Sequence, residues 1–274
     1  MYKEKSILKS FQVFATFGLI PLLVFGIVVL IPFFSGLFLS LTNWNGSIDG
    51  KIEFIGIGNY ISAVRDPAFW GSLGKTFYYV FFVMILTNTS AFLFGMLVTS
   101  GMKGQNFYRA GYFTPNLIGG VIPFFEISWL TEPHAALWVL IVVGVWQNAG
   151  YMMLIYIAGF VGIDKSLLEA ARMDGASPLQ MLQKIKIPMM VPAFTITLFL
   201  TLRKAFMVYD VNLSLTKGGP YNTTELISMH VYNEAFLNQN MGPGQAKAFL
   251  LFLLVAVIAV AQVAALKKRE VDAI

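Results

Sequence analysis

Residues 169–188 read EAARMDGASPLQMLQKIKIP, and this polar, alanine-rich stretch lies between two long apolar segments of the chain. Its charged side chains exclude it from the hydrocarbon core of a membrane. Apolar and charged residues are interleaved here, which suits a short helix pressed against another protein surface. The apolar members are Leu167, Leu168, Ala171 and Met173. Gly175 then supplies the unrestricted backbone that a sharp exit from such a helix requires.

The spacing within this stretch follows a long and specific pattern. That pattern is E-A-A, two residues, D-G-A and, about ten residues later, I-x-x-P, and every fixed position is occupied. The stretch closely resembles the EAA loop of permease subunits in binding-protein-dependent ABC importers. The residues that carry the resemblance are Glu169, Ala170, Ala171, Asp174, Gly175, Ala176, Ile185 and Pro188.

The resemblance implies a role for this loop, which we place at about residues 161–187. It would be the cytoplasmic coupling helix that docks into a cleft of the ATPase subunit. Glu169 would be the polar anchor, near the helix start if Asp164 or Ser166 is the N-cap. Ala170 and Ala171 would permit close approach. An ordinary loop helix packed on its own domain is the alternative.

Composition independently indicates a membrane protein. Hydrophobic residues make up 57% of the 274 residues and charged residues only 12%, with a mean hydropathy of +0.70. Cysteine is absent, which excludes disulfides, thiolate metal sites and a cysteine nucleophile. The net charge of +5 comes from basic residues clustered at the ends of apolar spans. We read it as a topology signal with lipid as the partner, not as a nucleic-acid site.

Six apolar segments are long enough to cross a hydrocarbon core of about 30 Å as helices. We predict an all-α membrane protein with one transmembrane domain over residues 1–274. The first segment is too long for a signal peptide, so we predict a retained anchor. The spans lie at about 12–41, 70–99, 109–130, 135–160, 187–209 and 245–266.

The distribution of lysine and arginine between alternate connections predicts the orientation. Twelve of these residues fall on the side that holds both termini and the loop with Glu169, and seven fall on the other side. Because basic residues favour the cytoplasmic side, both termini and this loop are expected to be cytoplasmic. The location agrees with a loop that must meet an ATPase in the cytoplasmic membrane of a bacterium or archaeon.

Two outer loops refine the resemblance. Residues 215–220 read LTKGGP, an intact copy of the L-T-x-G-G-P stretch of sugar-specific permeases. An N-F-x-G-L-x-N-Y-like stretch is eroded, with Glu53 and Ile57 at its first and fifth positions. The resemblance covers about residues 30–260 and points to the carbohydrate-importing branch, which also handles glycerol phosphates and related polyols.

Membership of that branch implies a type I importer permease fold and a heteromeric assembly. The expected partners are a second homologous permease, two ATPase subunits and an extracytoplasmic solute-binding protein. This chain would bind no cofactor, because ATP and Mg would be held by the ATPase; residues 101–104 (GMKG) lack the pattern of a nucleotide-binding loop. One departure is a short segment at 121–130. It is either a true deletion or the result of a stretch missing from the printed sequence.

Sugar recognition requires planar apolar faces for stacking and polar groups for hydroxyls. The fourth span offers Trp146, Gln147, Asn148 and Tyr151. In related permeases the path is also lined from the end of the fifth span, which here contains Thr201, Arg203, Lys204 and Tyr209. The alternative for Gln147 and Asn148 is that they bridge helices.

Arg203 and Lys204 are adjacent cations near the outer end of a span. They could attract an acidic sugar or a phosphate. Equally, they could extend to the interface or pair with Asp210, which follows within seven residues.

Other classes of protein receive less support. A secondary, ion-coupled transporter of a small polar solute would explain the spans, but intramembrane carboxylates are nearly absent apart from Glu126. No nucleophile with a base suggests an intramembrane enzyme, so we predict no catalytic residue. His134 and His230 lack metal-ligand spacing and are expected in surface loops, so no metal site is predicted.

Overall fold

A computed structural model of the chain describes residues 14–47, 50–100, 111, 114 and 130–271. These described residues form helices and connecting loops, with no β-strand. An isolated antiparallel β-bridge joins Thr42 and Phe54. The helices are α1 (Ala15–Leu39), α2 (Gly58–Arg65), α3 (Pro67–Thr99), α4 (Pro133–Val161), α5 (Lys165–Met173), α6 (Pro178–Met189), α7 (Val191–Phe206), α8 (Asp210–Leu215), α9 (Ile227–Tyr232) and α10 (Met241–Val271).

Four of these helices, namely α1, α3, α4 and α10, are long and apolar enough to cross a membrane. They confirm four of the predicted spans to within a few residues. The pair α6 and α7 adds a fifth crossing if the two helices are taken together. The predicted span at 109–130 and the short segment at 121–130 fall almost wholly outside the described residues. The count of six therefore stays a prediction.

The fifth predicted span, 187–209, is not one continuous helix in the structure. α6 and α7 meet at Met190 with a bend of 66°, and α7 ends at Phe206, three residues before the predicted boundary. Pro188 and Pro192 flank the bend, and each lacks the N–H that would continue a helical hydrogen-bond ladder. Proline is tolerated in the first turn of a helix, so the chain starts α7 afresh after Met190.

The described residues divide into two compact units, and whether the chain is one domain stays a prediction. The first unit takes its described residues from 1–65 and 231–250. In it, the buried Asn59 amide donates hydrogen bonds of 2.8 Å to the carbonyls of Ser40 and Thr42. The Lys247 ammonium lies 3.3 Å from the Glu234 carboxylate, and both side chains are mostly buried. A buried cation is thereby paired, as burial requires.

The second unit takes its described residues from 66–230 and 251–274, and its core forms where α3, α4 and α7 pack together. Small residues allow close approach: a Cβ added at Gly95 of α3 would lie 3.1 Å from the Cβ of Tyr156 on α4. Aromatic rings fill the space around this contact, with the Phe92 and Phe194 rings stacked at 5.4 Å between centroids. Such small-residue and aromatic contacts drive helix packing in lipid.

A chain of buried polar groups crosses the same three helices. The Tyr156 hydroxyl donates to Asn88 Oδ1 at 3.0 Å and accepts from Thr197 Oγ1 at 2.8 Å. Asn88 Nδ2 lies 3.3 Å from Thr201 Oγ1, and that hydroxyl donates to the Thr197 carbonyl at 2.7 Å. Because Asn88, Tyr156, Thr197 and Thr201 are all buried, one polar network joins α3, α4 and α7.

Removing the Tyr156 hydroxyl tests the stabilising effect of this network. Tyr156→Phe leaves Asn88 Oδ1 without its donor, whereas Thr197 can still donate to the Ala193 carbonyl at 3.0 Å. We expect the free energy of unfolding in detergent micelles to fall by about 0.5 to 2 kcal/mol. Tyr221→Phe is the control, because Tyr221 is 92% exposed. Equal stabilities of the two variants would contradict a structural role for the network.

Candidate functional site

A polar cavity of about 390 Å³ lies in the second unit, where α3, α4 and α7 meet the start of α8. It draws side chains from all four helices and from the loop that follows α7. The lining residues are Tyr79, Gln147, Asn148, Arg203, Lys204, Met207, Val208, Asp210 and Val211. Its size falls within the range of about 300–1,000 Å³ that is typical of small-molecule sites.

The wall formed by α3 and α4 depends on one glycine. A Cβ added at Gly144 would collide with the hydroxyl of Tyr79, and Tyr79 is itself almost fully buried. Asn148, one turn further along α4, donates a hydrogen bond of 2.7 Å to the Gly144 carbonyl. Gly144 therefore lets the Tyr79 ring lie against α4 beside the amides of Gln147 and Asn148.

The last turn of α7 contributes two basic residues to the lining. Arg203 and Lys204 lie in its last turn, where the partial negative charge of a helix C-terminus favours cations. Lys204 Nζ lies 5.1 Å from the centroid of the Tyr151 ring, a cation–π contact. Within the described part of the chain, neither cation forms an ion pair within 4.0 Å of Asp210. The pairing considered from the sequence is therefore not seen.

The cavity brings together four of the eight residues predicted to line a substrate path: Gln147, Asn148, Arg203 and Lys204. Tyr151 is linked to them through Lys204. The other three lie elsewhere. Trp146 is 44% exposed and not part of the lining, and Thr201 is buried in the polar network. Tyr209 immediately precedes α8 and is also outside the lining.

Sequence reasoning missed Tyr79 as a lining residue, because nothing in the α3 sequence marks which face meets α4. It also missed a second cavity of about 530 Å³ in this unit, which has an aromatic wall. There the Tyr78 and Trp138 rings meet edge to face at 6.0 Å between centroids. Lys75, His134 and Thr223 add polar groups to the same cavity. Trp138 therefore lines this cavity, whereas Trp146 lines neither of the two cavities.

The prediction that His230 lies on the surface was wrong. It is only 7% exposed, and its ring nitrogens lie 3.7 Å from Asp66 Oδ2 and 3.6 Å from Glu225 Oε1. The tertiary fold brings Asp66 to it from a distant part of the sequence, whereas Glu225 is close to it in the chain. No group of three or more potential metal ligands occurs in the described ranges.

The EAA segment forms the helix predicted for it. α5 begins after Asp164, whose carboxylate accepts a hydrogen bond of 2.9 Å from the Ser166 amide. Asp164 is therefore the N-cap, one of the two candidates named from the sequence. After α5 the chain turns at Gly175, where φ is +79°, a left-handed conformation that glycine adopts without strain. Ser177 and Gln180 then form a capping box at the start of α6.

One side of the EAA segment packs on the core and the rest is exposed. Leu168 lies against the cluster that contains Ile163, Phe160 and Met190. By contrast, Glu169, Ala170 and Asp174 are exposed. Apolar side chains share this exposure, since Met173 is 88% and Leu179 60% exposed. The segment thus presents a mixed apolar and charged surface that nothing in the described chain covers.

The loop with the sequence LTKGGP is held by several hydrogen bonds. Lys217, Gly218, Tyr221 and Asn222 all have positive φ. The Thr224 hydroxyl lies 2.6 Å from the Gly219 carbonyl and 2.8 Å from Thr216 Oγ1. The Lys75 ammonium of α3 donates to the Asn222 carbonyl, which ties the loop to the second cavity.

A family model now assigns the chain. Residues 68–270 match the model described as "Binding-protein-dependent transport system inner membrane component". The chain belongs to this family. It is therefore a multi-pass component of the inner membrane in a transport system, and the family is not one of enzymes.

Two relatives agree with this assignment. The probable starch degradation products transport system permease protein AmyD of Thermoanaerobacterium thermosulfurigenes is 40% identical over 90% of this chain and 91% of its own length. The multiple sugar-binding transport system permease protein MsmF of Streptococcus mutans is 27% identical, with 93% and 96% covered.

Two crystal structures share the fold. One is of a bacterial ABC transporter involved in the import of the acidic polysaccharide alginate, with a TM-score of 0.81 and 17% identity over 96% of this chain and 98% of the other. The second shows a bacterial alginate ABC transporter in complex with alginate pentasaccharide-bound periplasmic protein. Its TM-score is 0.79, with 18% identity over 94% of each chain. At these identities the likeness concerns the fold alone.

The contact between Gly144 and Tyr79 can be tested by a double-mutant cycle. Gly144→Ala should lower the free energy of unfolding by about 1 to 3 kcal/mol, because the new methyl group overpacks against the Tyr79 hydroxyl. Adding Tyr79→Phe removes that hydroxyl and should restore most of the loss, since the nearest ring carbon is 3.2 Å from the new Cβ. Denaturant titration of the four proteins measures the coupling. Additive effects would contradict the contact.

Proposed function

We propose that this permease imports a carbohydrate, using ATP hydrolysis by a partner. The exposed, capped helix of the EAA segment is the observation that carries the ATP-driven part of the proposal. Such a surface requires a protein partner on the side of the membrane where it lies. Apolar side chains such as Met173, exposed beside Glu169 and Asp174, suit burial in a cleft.

Support for carbohydrate as the cargo comes from the relatives and from the cavities. The two relatives named above are described as permeases for starch degradation products and for multiple sugars. The polar cavity offers the amides of Gln147 and Asn148 for hydroxyl groups. Tyr78 and Trp138 offer ring faces and edges in the second cavity. Amides with aromatic surfaces are the chemistry that sugar rings require.

The complete importer would contain a second homologous permease, two ATPase subunits and an extracytoplasmic solute-binding protein. The periplasmic protein bound to the alginate transporter supports the last of these partners. ATP and Mg would be bound by the ATPase subunits, and this chain would hold no cofactor. A sixth span would come from residues 109–130.

The proposed orientation would place each surface on the side of the membrane where its proposed partner would be. With both termini cytoplasmic, α5 would lie inside, and the C-terminal end of α7 would lie toward the outside. The cavity lined by Arg203 and Asp210 would then open toward the side from which a solute-binding protein delivers cargo. Closure of the ATPase dimer would push on α5, and α6 would pass that displacement to α7.

Reconstitution tests this function directly. The two permeases, the ATPase and the solute-binding protein are assembled in proteoliposomes, and ATP hydrolysis is measured with and without oligosaccharides. We expect hydrolysis to rise only when both the binding protein and a carbohydrate are present. Hydrolysis that ignores every carbohydrate tested, or uptake driven by an ion gradient without ATP, would reject the proposal.

Substitutions in the EAA segment test the coupling role. Glu169→Arg reverses the charge of an exposed side chain and should abolish ATP-dependent uptake while the protein still inserts and assembles with its partner permease. Gly175→Val should have the same effect, because valine at a φ of +79° is strained by about 1 to 3 kcal/mol. Uptake and membrane content are measured together.

A matched glycine controls for the added side chain. No atom lies within 4 Å of a Cβ added at Gly26 or at Gly175, but only Gly175 has a positive φ. Gly26→Val should therefore leave uptake close to the unsubstituted level. Normal uptake by both Glu169→Arg and Gly175→Val would rule out the coupling role.

A further inference from the structure

Two cations in the polar cavity have no carboxylate within ion-pairing distance among the described residues. The Arg203 side chain forms no ion pair or hydrogen bond with any residue that the structure describes. Lys204 contacts the Tyr151 ring, which leaves its ammonium free to donate hydrogen bonds. Resting on the proposed function, we infer that this cavity binds an anionic group carried by the imported carbohydrate, with Arg203 and Lys204 as its ligands.

The arrangement of the two cations favours an anion over a purely structural role. Both side chains are exposed and line the cavity, so each is accessible to a ligand there. The ring of Tyr151 fixes Lys204 from one side. A cation held in position before the ligand arrives loses less entropy on binding. Arg203 adds a planar fork of donors that matches a carboxylate or a phosphate.

The remaining lining defines the rest of the ligand. Gln147 and Asn148 share the lining with the cations and can hydrogen-bond to hydroxyl groups. Among the described lining residues Asp210 is the only carboxylate, so the described lining contains two positive charges and one negative charge. The excess of positive charge suits one anionic group beside neutral hydroxyls. A uronic acid carboxylate and a phosphate ester on a sugar or polyol share this chemistry.

The test uses the complete importer with three classes of probe: neutral malto-oligosaccharides, uronate oligosaccharides and sugar phosphates. Thermal shift of the binding protein first identifies which classes it accepts. Stimulated ATP hydrolysis is then measured for the unsubstituted complex and for Arg203→Gln and Lys204→Gln. We expect an anionic class to stimulate hydrolysis, and Arg203→Gln to reduce that response about tenfold or more.

Controls separate charge from folding. Arg65→Gln removes an exposed cation that is not part of the cavity lining and should leave the response to the anionic class unchanged. Arg203→Lys keeps the positive charge but lacks the planar guanidinium donors. Its ATP hydrolysis in response to the anionic class should therefore be intermediate between those of the unsubstituted complex and Arg203→Gln. Size-exclusion chromatography of each complex shows whether it has assembled. A response to uronates but not to phosphates, or the reverse, identifies which anion is carried.

Three results would overturn the inference. The binding protein and the complex could respond to neutral sugars alone. Arg203→Gln could reduce the responses to neutral and anionic sugars equally. Arg65→Gln could reduce the anionic response as much as Arg203→Gln does. The first two of these would leave the proposed carbohydrate importer intact, whereas failure of every carbohydrate class would reject the proposed function itself.

Discussion

The hydrogen bonds that join Asn88, Tyr156 and Thr197 hold three apolar helices in one arrangement. In a bilayer the hydrophobic effect does little to bring helices together, because lipid tails are as apolar as the side chains that face them. Close approach at small residues and satisfied polar groups must supply the specificity. A displacement of α7 along α4 by one turn would break the hydrogen bond between the Thr197 side chain and the Tyr156 hydroxyl.

This arrangement also positions the cavity. α7 carries Thr197 and Thr201 in its buried polar network and Arg203 and Lys204 in its last turn. The network therefore sets which part of α4 the two cations lie beside. Tyr79 contributes from α3, and its place against Gly144 brings that helix to the same point. The cavity thus depends on the helix packing next to it. Its lining residues come from several separate segments of the sequence.

Local features of the sequence predicted local structure well. Hydropathy gave the bounds of α3 and α4 to within a few residues, and the EAA pattern predicted the helix and its turn at Gly175. Features that depend on distant contacts were not predicted. The burial of His230 beside Asp66 joins two residues that are far apart in the chain. Trp146 was expected in a cavity because of its type, but the rotation of α4 turns Trp138 toward one.

The bend at Met190 has a mechanical consequence. Met190 is completely buried, and its amide hydrogen-bonds back into α6, to the Lys186 and Ile187 carbonyls at 3.0 and 3.2 Å, while its carbonyl accepts from Phe194 of α7 at 3.0 Å. The hydrogen bonds of Met190 therefore join the two helices at one fixed residue. A bent pair of helices of this kind converts a sideways displacement of the shorter helix, α6, into a tilt of the longer helix, α7. A single straight helix of the same length would transmit only a displacement along its own axis.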